Sequence, residues 1–203
     1  FCGSGTIPVE AALYAHNIAP GFGRRFALEN LLIYNADRAK KIRIAEAENI
    51  RTDVETRITG SDIDSAAVER AKLNAEHACV AAGRALQEIG CDSRIPRPDF
   101  IQSDFTELEA PFDAGLLLCN PPYGERLGDE AEAELLYKRI SCLFKDFPGW
   151  EIGVITPHLK FQECIGKHAA LLKDIKAGNL DTKFYIYSDK VGSKPQHKVH
   201  EKK

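Results

Sequence analysis

Methionine is absent from this 203-residue sequence, and tryptophan occurs only once. A chain of this size without methionine, opening at Phe1 inside a glycine-rich motif, is expected to be a piece of a longer protein. No apolar run reaches the roughly 18 residues of a membrane span, and no secretory leader opens the chain. A membrane protein is therefore not expected, and a cytoplasmic one is. Excess positive charge is also lacking: 27 Lys and Arg stand against 30 Asp and Glu, a formal charge of −3. That balance gives no global attraction to phosphate and counts against a stand-alone nucleic-acid binder. The six cysteines, at 2, 79, 91, 119, 142 and 164, are scattered, and no pair has CxxC spacing. Neither a disulfide framework nor a zinc or other metal site is expected; the thiols read as reduced and mostly buried.

What is present suits one globular domain, with 44% apolar and 28% charged residues. Short β-like runs alternate with helical patterns, the signature of an α/β domain with a mostly parallel sheet. The strand candidates are Arg57–Asp62, Asp99–Ser103, Ala114–Cys119, Glu151–Thr156 and Lys183–Ser188. Val68, Ala71, Ala75 and Ala78 share one helical face, and Leu136, Ile140, Leu143, Phe144 and Phe147 share another. Asp64 and Asp129 are placed to start these two helices, and Pro8 falls in a first helical turn. Residues 18–56, with a charged helical stretch Asp37–Ile50, and residues 80–98 read as insertions. Residues 190–203 form a basic tail expected to be solvated and flexible. Other basic residues are dispersed, apart from Arg94 and Arg97.

Four short motifs follow one another, the last three at predicted strand ends. Phe1-Cys2-Gly3-Ser4-Gly5-Thr6 is a glycine turn entering a helix, which lets a ligand approach the backbone and meet free N–H groups. Pro8 replaces the third glycine of the dinucleotide fingerprint, and no Gly-Lys-Ser/Thr follows, so a P-loop is excluded. Next comes Gly60-Ser61-Asp62-Ile63-Asp64, where the Asp62 carboxylate can accept from a ribose diol and Ile63 can lie against an adenine face. The third is Ser103-Asp104-Phe105: Asp104 can accept from an adenine amino group, with Phe105 packed beside it.

The fourth, Asn120-Pro121-Pro122-Tyr123, carries the most chemistry. It ends the run Leu116–Cys119, read as a buried strand. An exocyclic amine on a nucleobase is a poor nucleophile because its lone pair is delocalised into the ring. The Asn120 side-chain oxygen and the Pro121 carbonyl can accept its two N–H groups and draw the nitrogen toward tetrahedral geometry. Pro121 and Pro122 stiffen the loop, and Tyr123 offers a π-face to a base turned out of its stack. Positioning and electrostatics then supply most of the catalysis. In this order the four motifs point to a methyltransferase using S-adenosylmethionine. A non-catalytic RNA-binding or assembly factor would have no need of the amine clamp.

Beyond the four motifs, FCGSGTIPVEAA at 1–12, NIAPGFGRRFALE at 17–29, GSDID at 60–64, NPPYGERLGDE at 120–130 and GNLDTKFYIY at 178–187 carry a family resemblance. The chain resembles, from Phe1 to about Asp189, the bacterial THUMP-containing 23S rRNA guanine-N2 methyltransferases, a family also designated N6-adenine-specific DNA methylases. The resemblance implies a Rossmann-like class I S-adenosylmethionine-dependent methyltransferase with a seven-stranded sheet, whose first strand would precede Phe1. It implies a catalytic domain over 1–189 and a THUMP RNA-binding region upstream, absent from these 203 residues. The cofactor would be held by Phe1, Cys2, Gly3, Ser4, Gly5, Thr6, Asp62, Ile63, Asp104, Phe105 and Asn120, and the target base by Asn120, Pro121, Pro122 and Tyr123. Arg126 would brace the base loop. Guanine N2 in 23S rRNA is the implied target; adenine N6 in DNA, guanine N2 in tRNA and a protein glutamine stay open as acceptors. RNA is the expected partner, and residues 1–203 alone are expected to bind it weakly.

Overall fold

The computed structural model describes residues 1–22, 24–123, 130–178 and 180–188. Asp129, Arg126, the rest of the GERLGD stretch and the basic tail lie outside them. The described residues divide into two compact units, Phe1–Phe105 and Thr106 onward.

The first unit contains α1 (Thr6–Ala15), a 3-10 turn at Ala27–Asn30, α2 (Ala36–Glu48), β1 (Thr59–Asp62), α3 (Ser65–Glu88) and β2 (Asp99–Gln102). Strands β1 and β2 pair in parallel, with Gly60 opposite Phe100 and Asp62 opposite Gln102. The N-cap of α3 is Asp64, whose carboxylate accepts the Ala66 N–H at 2.9 Å. Val68, Ala71 and Ala75 are buried in one core cluster with Phe100, as their spacing predicts. The helix then runs on through much of the segment expected to be an inserted connection. Ala82, Ala85 and Leu86 continue the 3.6-residue period and bury a second cluster with Ile18, Ala47, Ile50 and Ile95. Because the buried face is mostly alanine, neighbouring elements can approach it closely. Only residues 91–98 are irregular, and Ile95 anchors them in the second cluster.

The second unit contains a 3-10 turn that begins at its boundary (Phe105–Glu107), β3 (Leu116–Cys119), α4 (Glu130–Ile140), α5 (Leu143–Asp146), β4 (Glu151–Thr156), α6 (Phe161–Ile165), β5 (Leu171–Ala177) and β6 (Leu180–Tyr187). The sheet order is β3-β4-β6-β5, parallel between β3 and β4 and antiparallel in the other two pairs. Six strands are therefore described, in two sheets, against the seven implied by resemblance with the first placed before Phe1.

Several expectations need correction. The apolar face 136–147 belongs to two helices, because the chain turns at Ser141 and Cys142 before α5. Strand β5 was not foreseen: Lys173, Asp174 and Lys176 break its apolar pattern, which an edge strand tolerates because one side meets solvent. Strand β3 is not buried throughout. It is the opposite edge strand, and Leu116 and Leu118 are exposed while Cys119 is buried. All six cysteines are free thiols, but Cys119 alone is buried and the other five are intermediate. Among the described residues no helix is long and apolar enough to cross a membrane.

Candidate cofactor and acceptor site

Parallel strands converge their C-terminal ends on one edge of a sheet, and loops leaving that edge can surround a ligand. In the first unit those loops are 62–64 and 103–105, and the glycine turn 1–5 is fastened beside them. The Cys2 N–H donates to the Ser61 carbonyl at 2.8 Å, and the Gly3 N–H donates to Asp62 Oδ2 at 2.8 Å. Asp62 Oδ1 accepts the Asp64 N–H at 3.1 Å, an Asx-type turn that shapes the loop after β1. Each Asp62 oxygen thus serves one backbone donor and keeps acceptor capacity for a ribose hydroxyl. The side chain is only 16% exposed.

Gly3 and Gly5 do different work. Both have positive φ, +54° and +80°. A Cβ added at Gly5 would stand 2.8 Å from the Ala71 Cβ and 3.0 Å from the Phe100 ring, so bare backbone is needed for the turn to seat on α3 and β2. A Cβ at Gly3 would meet nothing within 4 Å, so this part of the turn faces open space into which a ligand can come. Thr6 then begins α1, with Gly5 as its cap. Phe1 packs on Phe105 with ring centroids 4.9 Å apart. Phe105 is buried, so it supports the site floor more than it offers a face. Ile63 is exposed beside Asp62, and Asp104 is half-buried after β2. The turn, Asp62, Ile63, Asp104 and Phe105 thus come together in one unit. Their donors, acceptors and open glycine backbone fit an adenosine-bearing cofactor.

Two supporting residues escaped the sequence reading. Asn74 on α3 donates from Nδ2 to the Ser4 carbonyl at 2.9 Å, and Gln102 donates from Nε2 to the Ile63 carbonyl at 3.2 Å. Each ties a cofactor-loop carbonyl to a rigid element. For Asn74 a signal existed: asparagine is a weak helix former, and it sits inside a 24-residue helix.

In the second unit β3 delivers Asn120 to Tyr123. Asn120 is exposed, Pro121 is fully buried, and Pro122 and Tyr123 are half-buried. The loop is therefore anchored by one proline while its amide reaches outward. Cys119 pairs with Val154, so the loop leaves the sheet beside Ile155 and Thr156. There, Tyr137 Oη lies 3.0 Å from Thr156 Oγ1, which also accepts the His158 N–H at 3.2 Å. Burial raises the Tyr137 phenol above its usual range, and the Thr156 bond offsets part of that. Burial pushes the Cys119 thiol up to about 12. Burial, with the Asp62 carboxylate adding to it, raises Cys2 as well. Both thiols are neutral at physiological pH, so neither supplies the thiolate a covalent mechanism would require.

Known proteins resemble this chain in sequence and in fold. YpsC of Bacillus subtilis (strain 168), which its name assigns provisionally to the RNA methyltransferases, is 36% identical over 98% of this chain and 47% of its own length. The ribosomal RNA large subunit methyltransferase K/L of Shewanella pealeana is 35% identical over 93% of this chain and 25% of its own. Among solved structures, SMU.472, provisionally classed as a methyltransferase and complexed with SAH, superposes with a TM-score of 0.74 at 28% identity. That match covers 92% of this chain and 46% of the other. The chain thus spans half or less of the length of these proteins. The fold is the class I S-adenosylmethionine-dependent methyltransferase fold, α/β and Rossmann-like. The profile of UPF0020, the RMKL-like methyltransferase domain, matches residues 1–186, and the chain belongs to that family.

Proposed function

We propose that this chain, over residues 1–189, is the catalytic domain that methylates the exocyclic N2 amine of a guanine in 23S rRNA. The methyl donor is S-adenosylmethionine, which supplies an electrophilic methyl group on a sulfonium. The observation that carries the reading is the Asn120–Tyr123 loop, with an outward amide on a buried proline anchor at the end of a parallel strand. Membership of the RMKL-like family and the ribosomal RNA named for the Shewanella relative support this choice of acceptor.

Gly3 to Thr6 and Asp62 hold the cofactor, with Ile63, Asp104 and Phe105 around its base. The Asn120 oxygen and Pro121 carbonyl accept the two N–H groups of the target amine, and Tyr123 stacks on the extruded base. The nitrogen attacks the methyl carbon, sulfur leaves as a neutral thioether, and the amine proton passes to water. Neutral Cys119 fits transfer to nitrogen better than transfer to a ring carbon through a thiolate adduct. The setting is cytoplasmic, and the partner is RNA.

The test gives full-length enzyme and labelled cofactor to unmodified 23S rRNA, tRNA and duplex DNA, then digests the products to nucleosides. N2-methylguanosine from the 23S rRNA is expected. N6-methyladenine in DNA would overturn the acceptor and leave the amine clamp standing. No label anywhere, with Asn120→Ala indistinguishable from wild type, would end the enzyme reading.

A further inference from the structure

Outside the cofactor loops, one stretch of the described residues is strongly basic. Between Arg24 and Arg43 lie six basic and two acidic side chains, a local charge of +4 in a chain of −3. The structure ties the loop that carries two of them to the helix that carries the other four. From α2, Arg43 donates to the Phe22 carbonyl at 2.8 Å and to the Arg24 carbonyl at 3.2 Å, and its guanidinium lies 3.6 Å from Glu29. Glu29 also accepts from Arg25 at 3.2 Å and from the Phe26 N–H at 3.0 Å. The preceding loop is thereby fastened along the helix. Asn35 caps α2 by accepting the Arg38 N–H, and Arg38, Lys41 and Ile42, spaced i, i+3 and i+4, are exposed on its outward side. On the other side of α2, the side of buried Ala47 that faces α3, opens a cavity of about 390 Å³, lined by Tyr34, Lys40, Arg43, Ile44 and Glu88 among others. The loop between carries Leu32 and Ile33 at 107% and 81% exposure. Contiguous apolar exposure rimmed by charge marks an interaction site.

We propose that this surface docks the RNA substrate: Arg38, Lys40 and Lys41 meet its backbone phosphates. This assignment rests on the RNA acceptor proposed above and adds where that RNA is held. Local charge complementarity favours a polyanion.

Fluorescence anisotropy with a labelled RNA hairpin carrying a single-stranded overhang tests the proposal, using full-length protein at about 50 to 200 mM salt. The Arg38→Gln/Lys40→Gln/Lys41→Gln variant should bind on the order of 10-fold more weakly, with a log–log salt slope reduced by about 2 units. Its calorimetric affinity for SAH should not change. Lys72→Gln/Arg84→Gln/Lys173→Gln, with the same charge change elsewhere, should keep the wild-type slope. Equal effects from both variants, or none from the α2 variant, would overturn the surface and favour an acidic protein as its occupant. Wild-type protein that binds no RNA would bring down the acceptor proposal as well, a distinguishable failure.

Discussion

At the scale of single residues, the cofactor loop depends on contacts of unequal reach. Asp62 serves the glycine turn through Gly3 and its own loop through Asp64, and in the proposed site its remaining lone pairs accept from a ribose. Hydrogen bonds to a charged acceptor contribute about 1.5–3 kcal/mol, so Asp62→Ala should weaken cofactor binding roughly 10- to 150-fold by calorimetry. Unchanged affinity would refute its assignment. Asn74 makes one neutral bond to the Ser4 carbonyl, worth about 1 kcal/mol, so Asn74→Ala should cost roughly 5-fold in the same titration. Asn74→Asp keeps the shape and loses the donor, so it should behave alike; full affinity there would mean the bond positions nothing. In the proposed mechanism Asn120 belongs to the reaction itself. Its contact with the amine tightens as the nitrogen becomes tetrahedral, so Asn120→Ala should lower kcat on the order of 10²–10³-fold while SAH affinity holds. An equal loss in both would make it a binding residue.

At the scale of elements, the glycine turn is seated by steric exclusion. Gly5→Ala would place a methyl group on Ala71 and Phe100 and strain a φ of +80°, so a loss of about 1–3 kcal/mol is expected in urea unfolding. Wild-type stability would show that α3 can retreat. Elements with a strong period were legible in the sequence. Strand β4 has the expected bounds, and α3 has the expected cap and face. Elements whose identity depends on neighbours were not. Strand β5 has a charged pattern that its antiparallel pairing with β6 overrides, and the continuation of α3 is set by a second core cluster contributed from α2 and residues 18 and 95. The four proposed site motifs could be named from the sequence because the chemistry assigned to them lies in side chains and short turns. Asn74 and Gln102 were not, because each acts through a contact whose partner is remote in sequence, 70 positions away for Asn74 and 39 for Gln102. The basic surface was missed for a different reason. Arg24 and Arg25 lie in a loop, and only the Arg43 tether shows that this loop runs along α2.

At the scale of the whole molecule, net charge misleads. A total of −3 conceals a patch of +4, so binding to a polyanion is governed by where the charge sits. Cysteines show the same inequality among chemically identical groups. Burial holds Cys119 protonated beside the base loop, whereas hydrogen bonds from Ser93 lower the thiol of Cys91 below its ordinary value. Thiolate fraction and access set the rate of alkylation. In a timed maleimide reaction at neutral pH, peptide mass mapping should therefore find Cys91 modified first and Cys119 last; the reverse order would refute these environments. Cys91 then becomes a native attachment point for a fluorophore on the unit that bears the glycine turn. A dye placed there could report cofactor binding by a change in emission, without an engineered cysteine and with the acceptor loop left chemically untouched.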